Sequence, residues 1–199
     1  MARIVTLIAT LCAVAAVPTI YAVDSEPIAK CQVLFSPEDQ VADQLIALIA
    51  AEKKSIKAAV YCLMHRGISK ALIDAHRRGV NVEVIVDPYS VKSRSPVKSM
   101  VAEALPVFVW DPPEVMKESK SGKKVKQKKP LMHDKFCVLG NNKVWTGSFN
   151  FTFEAANRNQ ENVVVLENTQ VATQFLAEFE RLKNGGCVPL KEYIARSEV

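Results

Sequence analysis

His133 is followed two residues later by Lys135, and Gly147, Ser148, Phe149 and Asn150 run in succession a short distance downstream. An imidazole can attack phosphorus, a fixed ammonium can neutralise the charge that develops there, and two small hydrogen-bonding side chains can hold the oxygens. These residue types suit attack on a phosphodiester without a metal. The chain has three histidines, His65, His76 and His133, and no cysteine pair at zinc-ligand spacing. Neither a metal nor a cofactor is expected.

The elements that position these residues can be read from periodicity. Residues 131–139 and 143–146 read as two strands joined by a turn at Gly140, Asn141 and Asn142. Side chains alternate along a strand, so residues 133, 135, 137 and 139 share one face and Asp134 points to the other. Ser148 and Asn150 repeat the same spacing just past the second strand, and Gly147 removes a side chain where backbone could approach a ligand. His65 and His76 are read as structural or solvent-facing.

Upstream, strands expected at 31–35, 56–63, 80–86 and 106–110 alternate with helical spacing at 41–49, 68–78 and 97–105. Ser36 is the expected cap of the first helix. A last strand at 162–166 and a helix at 171–182, stopped by Gly185 and Gly186, complete the pattern. Strands alternating with helices predict an α/β domain: a mixed, largely parallel sheet with helices on both faces. The 199 residues suffice for one such domain, expected over 29–184, with a C-terminal tail at 185–199.

Residues 111–130 break the pattern and are expected to form a long loop. Between Lys117 and Lys129 lie seven lysines and one glutamate, a local excess larger than the net charge of +5 for the whole chain. A block of like charge is most simply a solvated loop. Its position just before His133 makes Lys123, Lys124, Lys126, Lys128 and Lys129 candidate contacts for a polyanion, either a nucleic-acid backbone or anionic lipid head groups.

Residues 1–22 carry Arg3 and a long apolar run. The pattern fits a secretory signal cut after Ala22, and its length also suits a membrane anchor over residues 4–22 or, less naturally, a buried helix. Export to the periplasm or medium is the expectation, with anchoring as the alternative. Cys62 and Cys137 fall in apolar runs and read as buried thiols, whereas Cys31 and Cys187 flank the domain and could pair.

The segments His133-Asp134-Lys135 and Gly147-Ser148-Phe149-Asn150 resemble the HxK and GSxN signature of the phospholipase D superfamily. The single copy resembles its small nuclease members. Residues 60–63 and 68–80 also resemble a strand and helix of that family, and the likeness covers roughly 31–182. The resemblance implies that His133 is the nucleophile and forms a phosphohistidine, with Lys135, Ser148 and Asn150 holding the phosphate oxygens. It implies that Glu161 orients the histidine and that two copies pair into a homodimer sharing one active site. Gly140 departs from the family pattern, which carries aspartate there, and this bears on turn geometry more than on chemistry. Three functions follow as expectations: a non-specific endonuclease acting on DNA or RNA, a phospholipase D acting on membrane lipid such as cardiolipin or phosphatidylcholine, or an inactive nucleic-acid- or lipid-binding module.

Overall fold

The computed structural model describes residues 30–91, 95–119 and 121–197, so the apolar leader at 1–22 lies outside the described residues. In chain order the elements are β1 (Lys30–Ser36), α1 (Val41–Ala51), β2 (Ser55–Val60), α2 (Arg66–Arg77), β3 (Asn81–Val86), a 3-10 turn (Pro88–Ser90), α3 (Val97–Ala102) and β4 (Val107–Trp110). There follow β5 (Met116–Glu118), β6 (Lys124–Lys126), β7 (Lys135–Leu139), β8 (Lys143–Gly147), α4 (Phe153–Asn157), β9 (Glu161–Glu167), α5 (Thr169–Gly186), β10 (Cys187–Pro189) and α6 (Leu190–Ser197).

Eight strands form one sheet in the order β1-β9-β8-β7-β2-β3-β4-β10. The sheet is mixed and carries helices on both faces, as expected, but its balance is mostly antiparallel. Only β2 with β3 and β3 with β4 run parallel. All other neighbours are antiparallel. Parallel neighbours need a crossover, and the chain supplies helices for that purpose only through β4. Beyond it, the turn after Leu139 and the short excursion through α4 lead each strand directly back beside the previous one.

Alternation along the strands divides the core in two. On β2, Ile56, Ala58 and Val60 join the larger cluster with α1, α2 and α3, whereas Ala59 joins Phe179 and Leu182 of α5 on the opposite face. In α2 the apolar spacing buries Ile68, Leu72 and Ala75 on one side. The α5 face also contains charge: Lys57, 8% exposed, pairs with Glu83, which Lys183 also contacts. Burial alone would raise the carboxyl pKa of Glu83, but its bonds to Lys183 and Lys57 hold it below the usual value.

Four expectations change. Ser36 ends β1 and is buried, with its hydroxyl donating to the carbonyls of Ala155 and Asn159. The residue before α1 is Gln40, in a left-handed conformation. The expected loop at 111–130 contains an antiparallel hairpin, β5 with β6. Of the expected tail at 185–199, the described residues 185–197 are folded: α5 runs on through both glycines, β10 pairs with β4, and Leu190 of α6 is fully buried. Finally, Cys31 and Cys187 are free thiols on opposite edge strands, on the order of 30 Å apart by strand spacing, which is far beyond disulfide reach. Cys62 and Cys137 are buried as expected, and burial pushes the Cys137 thiol up to about 12.

Candidate active site

The candidate residues meet at one end of the sheet, where β2, β3 and β8 finish and β7 and β9 begin. Strand β7 starts at Lys135, so His133 lies in the irregular segment before it and strict alternation does not reach it. The pairing survives by direct contact. Lys135 Nζ donates to the His133 carbonyl at 2.6 Å and lies 3.2 Å from His133 Nδ1. His133 is exposed while Lys135 is 9% exposed, an accessible imidazole braced by a buried cation. Burial lowers the Lys135 pKa below the ordinary lysine value, only partly opposed by the carboxylates of Asp134 and Glu161.

Gly147 is needed for a reason other than ligand access. A Cβ there would lie 2.1 Å from the backbone oxygen of Asn162, so strand β9 itself occupies the space. This close approach lets Ser148 N donate to the Asn162 carbonyl at 3.0 Å, while Asn162 N donates to Ser148 Oγ at 3.0 Å. Ser148 Oγ in turn donates to Glu161 Oε2 at 2.5 Å, and Asn159 Nδ2 donates to Oε1 at 3.1 Å.

Ser148 therefore has both its proton and a lone pair engaged. To hold a phosphate oxygen, its bond to Glu161 must yield. Within one chain, the hydroxyl that Glu161 holds is that of Ser148. Among the described residues, no hydrogen bond joins Glu161 to His133. Asn150 Oδ1 is buried and has no hydrogen-bond partner among the described residues. Such an orphaned amide end is costly unless a ligand completes it, and the amide turned over would present its NH₂ to an anion.

The motif did not reveal what holds these residues in place. Beyond β2, the backbone of residues 61–65 acts as a common support. Tyr61 N donates to Asp134 O at 2.8 Å, Phe151 N donates to Cys62 O at 3.0 Å, and Met64 and His65 both donate to Phe151 O at 2.8 Å. Ser90 Oγ donates to Tyr61 O and accepts from Leu63 N at 2.9 Å. Against this support the Tyr61 ring lies 4.7 Å from the His133 ring, and Lys135 Nζ sits 5.4 Å from the Tyr61 ring centre. A usable signal was present: polar and aromatic residues just past the carboxyl ends of two parallel strands. Away from the site, His65 caps α2 by accepting from Ile68 N at 3.2 Å.

Gly140 lies at the opposite end of β7, about 17 Å away by strand rise. Its φ is +63°, which glycine adopts at little cost, and a Cβ would sit 3.4 Å from Glu52 Oε2. Of the basic excursion, Lys126 pairs with Glu114 and Lys129 with Asp111. The ammonium groups of Lys123, Lys124 and Lys128 make no ion pair among the described residues. The excursion leaves β4 and returns to His133 at the same end of the sheet as the site.

Known proteins resemble this chain in sequence and fold. The family model described as "Cardiolipin synthase, PLD-like domain" matches residues 45–183. A mitochondrial cardiolipin hydrolase of Xenopus laevis is 27% identical over 157 residues, covering 78% of this chain and 67% of that protein. A phospholipase D of Rickettsia bellii is 28% identical over 159 residues, covering 78% and 71%. Among solved structures, Nuc of Salmonella typhimurium, a phospholipase D family member, is 31% identical with a TM-score of 0.63, covering 79% of this chain and 95% of that one. NucT of Helicobacter pylori shares the fold at 21% identity and a TM-score of 0.66, covering 80% and 98%. The buried lysine, the exposed histidine and the match over most of the chain agree: this chain belongs to the phospholipase D superfamily.

Proposed function

We propose that this phospholipase D-family phosphodiesterase is an endonuclease that cleaves DNA or RNA without a metal, with His133 as nucleophile. A His133 nitrogen bonds to phosphorus as one P–O bond breaks, and water then cleaves the P–N bond. Lys135 and Asn150 hold the phosphate oxygens, joined by Ser148 once it releases Glu161. The observation that carries the choice of substrate is the basic excursion that leaves and re-enters at the site's end of the sheet, where Lys123, Lys124 and Lys128 are exposed and make no ion pair among the described residues. Such groups raise the local concentration of a phosphate backbone and make binding salt-dependent.

The leaving oxygen needs a proton, which we assign to His133 of a second copy in a homodimer. Val33 and Phe35 on edge strand β1 are 51% and 54% exposed, and Phe35 is in register with Asn162 beside the site. A second copy covering this apolar face would bring the two histidines toward each other. Export, with or without retention of residues 1–22 as an anchor, belongs to the same proposal.

One observation favours lipid as a second reading. Val115, Met116 and Val125, at 58%, 54% and 47% exposure, project among the lysines of the excursion, a combination suited to an anionic bilayer surface. The purified protein, tested in EDTA on plasmid DNA, RNA and cardiolipin or phosphatidylcholine vesicles, separates these readings. Nucleic-acid cleavage is expected, with a loss of about four orders of magnitude or more in His133→Ala. Cleavage of lipid alone overturns the nuclease reading, and loss of activity in EDTA overturns the metal-free mechanism. Sedimentation is expected to show a dimer; an active monomer would remove the second histidine from the mechanism.

A further inference from the structure

Two buried polar groups are committed to placing one exposed ring. Asp87, 3% exposed, accepts from Tyr89 N at 2.9 Å through Oδ1 and from Met132 N at 3.2 Å through Oδ2. One carboxylate therefore ties the turn that carries Tyr89 to the segment that carries His133. Ser90, fully buried, ties the same turn to Tyr61 O and Leu63 N. The result is a stack: the rings of Tyr61 and Tyr89 lie 5.4 Å apart and 13° from parallel, and the His133 ring lies 4.7 Å from Tyr61 at a tilt of 53°. Tyr89 remains 48% exposed. The chain spends two buried polar groups on holding a half-exposed aromatic ring one ring beyond Tyr61, and phosphate chemistry at His133 requires neither ring.

We propose that Tyr89, stacked on Tyr61 beside His133, takes the base flanking the scissile phosphate, so that the site reads a nucleotide as well as a phosphodiester. This rests on the nuclease reading above. A sugar separates base from phosphate, and Tyr61 touches both the Tyr89 ring and the His133 ring. Every base has a π face, so the contact adds affinity with little sequence preference. It requires that base to leave its duplex neighbours, which favours unpaired segments. The cations of the excursion supply the backbone contacts and Tyr89 supplies the base contact.

The test compares single-stranded oligonucleotides that differ only in whether the nucleotide flanking the cleaved phosphate carries a base or a tetrahydrofuran abasic residue. Tyr89→Ala is expected to lower kcat/KM on the base-bearing strand by roughly 5- to 150-fold, the range found for removing one base stack. It should leave the abasic strand unchanged, and Tyr89→Trp should restore activity on the first. Equal losses on both strands, or no loss on either, overturn the proposal. A second measurement uses binding alone. In the His133→Ala protein, 2-aminopurine at the flanking position should be quenched on binding, and the quenching should disappear when Tyr89→Ala is added. If the wild type cleaves neither strand but the quenching depends on Tyr89, the nuclease reading fails and the stack stands. Cleavage without dependence on Tyr89 has the opposite meaning. If Tyr89→Ala weakens binding only to anionic phospholipid vesicles, the ring is an interfacial anchor and the base-stacking assignment is wrong.

Discussion

The antiparallel half of the sheet (β7, β8, β9 and β1) and the parallel half (β2, β3 and β4) serve the site in different ways. Residues at the ends of the antiparallel half carry the groups proposed to attack and hold the phosphate, His133, Lys135, Ser148 and Asn150, with Glu161 bonded to Ser148. At the carboxyl ends of the parallel half stand Tyr61, which touches His133 and Lys135, and Asp87, Tyr89 and Ser90, which reach them only through Tyr61 or Met132. The two halves meet where β7 pairs with β2, and Tyr61 N bonds Asp134 O just beyond the last pair. On the proposed reading, one half holds the chemistry and the other sets its position and the company it keeps. Substitutions in the first should therefore affect every substrate, and substitutions in the second should act through geometry or through a single class of substrate.

Lys135 should show the largest effect within this comparison. Lys135→Met removes a preorganised cation and is expected to lower kcat by about 10²- to 10³-fold on any diester, with or without bases. The pH profile adds a sign. Burial disfavours the ammonium, so its proton leaves below the ordinary value of 10.5. Activity is complete while Lys135 is charged and falls as rising pH removes that proton, which puts the alkaline limb of kcat/KM below 10.5. Lys135→Arg keeps its charge and should carry that limb upward, at reduced activity because a planar fork replaces a point charge. A limb that stays in place in Lys135→Arg would assign it to another group.

Asp87→Asn probes the positioning half. The amide retains one acceptor where two backbone N–H groups, of Tyr89 and Met132, now share a carboxylate. One donor is left facing an NH₂, at a cost of about 1–3 kcal/mol. Because Met132 adjoins His133, the loss should extend to chemistry: about tenfold in kcat, the scale expected for a small misplacement of a reacting group. Unlike Tyr89→Ala, this loss should be the same on base-bearing and abasic strands. A loss confined to base-bearing strands would merge the roles of Asp87 and Tyr89.

The two halves were also unequally legible in the sequence. His133, Lys135, Ser148, Asn150 and Glu161 lie within one short stretch, and their types announce phosphate chemistry. Tyr61, Asp87, Tyr89 and Ser90 are ordinary residues in two separate loops, and Asp87-Pro88 reads simply as the end of a strand. Only the register of β2 against β7 and β3 brings these loops together, and register is a property of neighbours that a single strand does not reveal. For the same reason the strand and helix positions were readable while the balance of parallel and antiparallel pairing was not. β10 was too short to register as a strand, and Gly185 and Gly186 looked like a helix stop although α5 continues through them. The bond between Glu161 and Ser148 was not readable either, because it spans two strands.

Gly140 gives the smallest effect and separates the motif from the site most cleanly. It belongs to the antiparallel half, yet lies at the far end of β7, where its N–H donates to Ser55 O at 2.8 Å. Gly140→Asp would restore the family's residue at this position. The side chain must accept a left-handed φ of +63°, which aspartate tolerates better than most residues, and its Cβ would stand 3.4 Å from Glu52 Oε2. Strain and like-charge repulsion together should cost about 1–2 kcal/mol, lowering Tm by roughly 2–8 °C in a chain of this size. At neutral pH the penalty includes repulsion between two carboxylates; protonating either in acid relieves that part, so the Tm difference from wild type should narrow as pH falls. Activity at 25 °C should stay within about twofold, since a stability loss of this size leaves the native state dominant. If Gly140→Asp instead raised activity tenfold or more, the far turn would be coupled to His133 through β7, and the division of the sheet into a chemical end and a structural end would have to be abandoned.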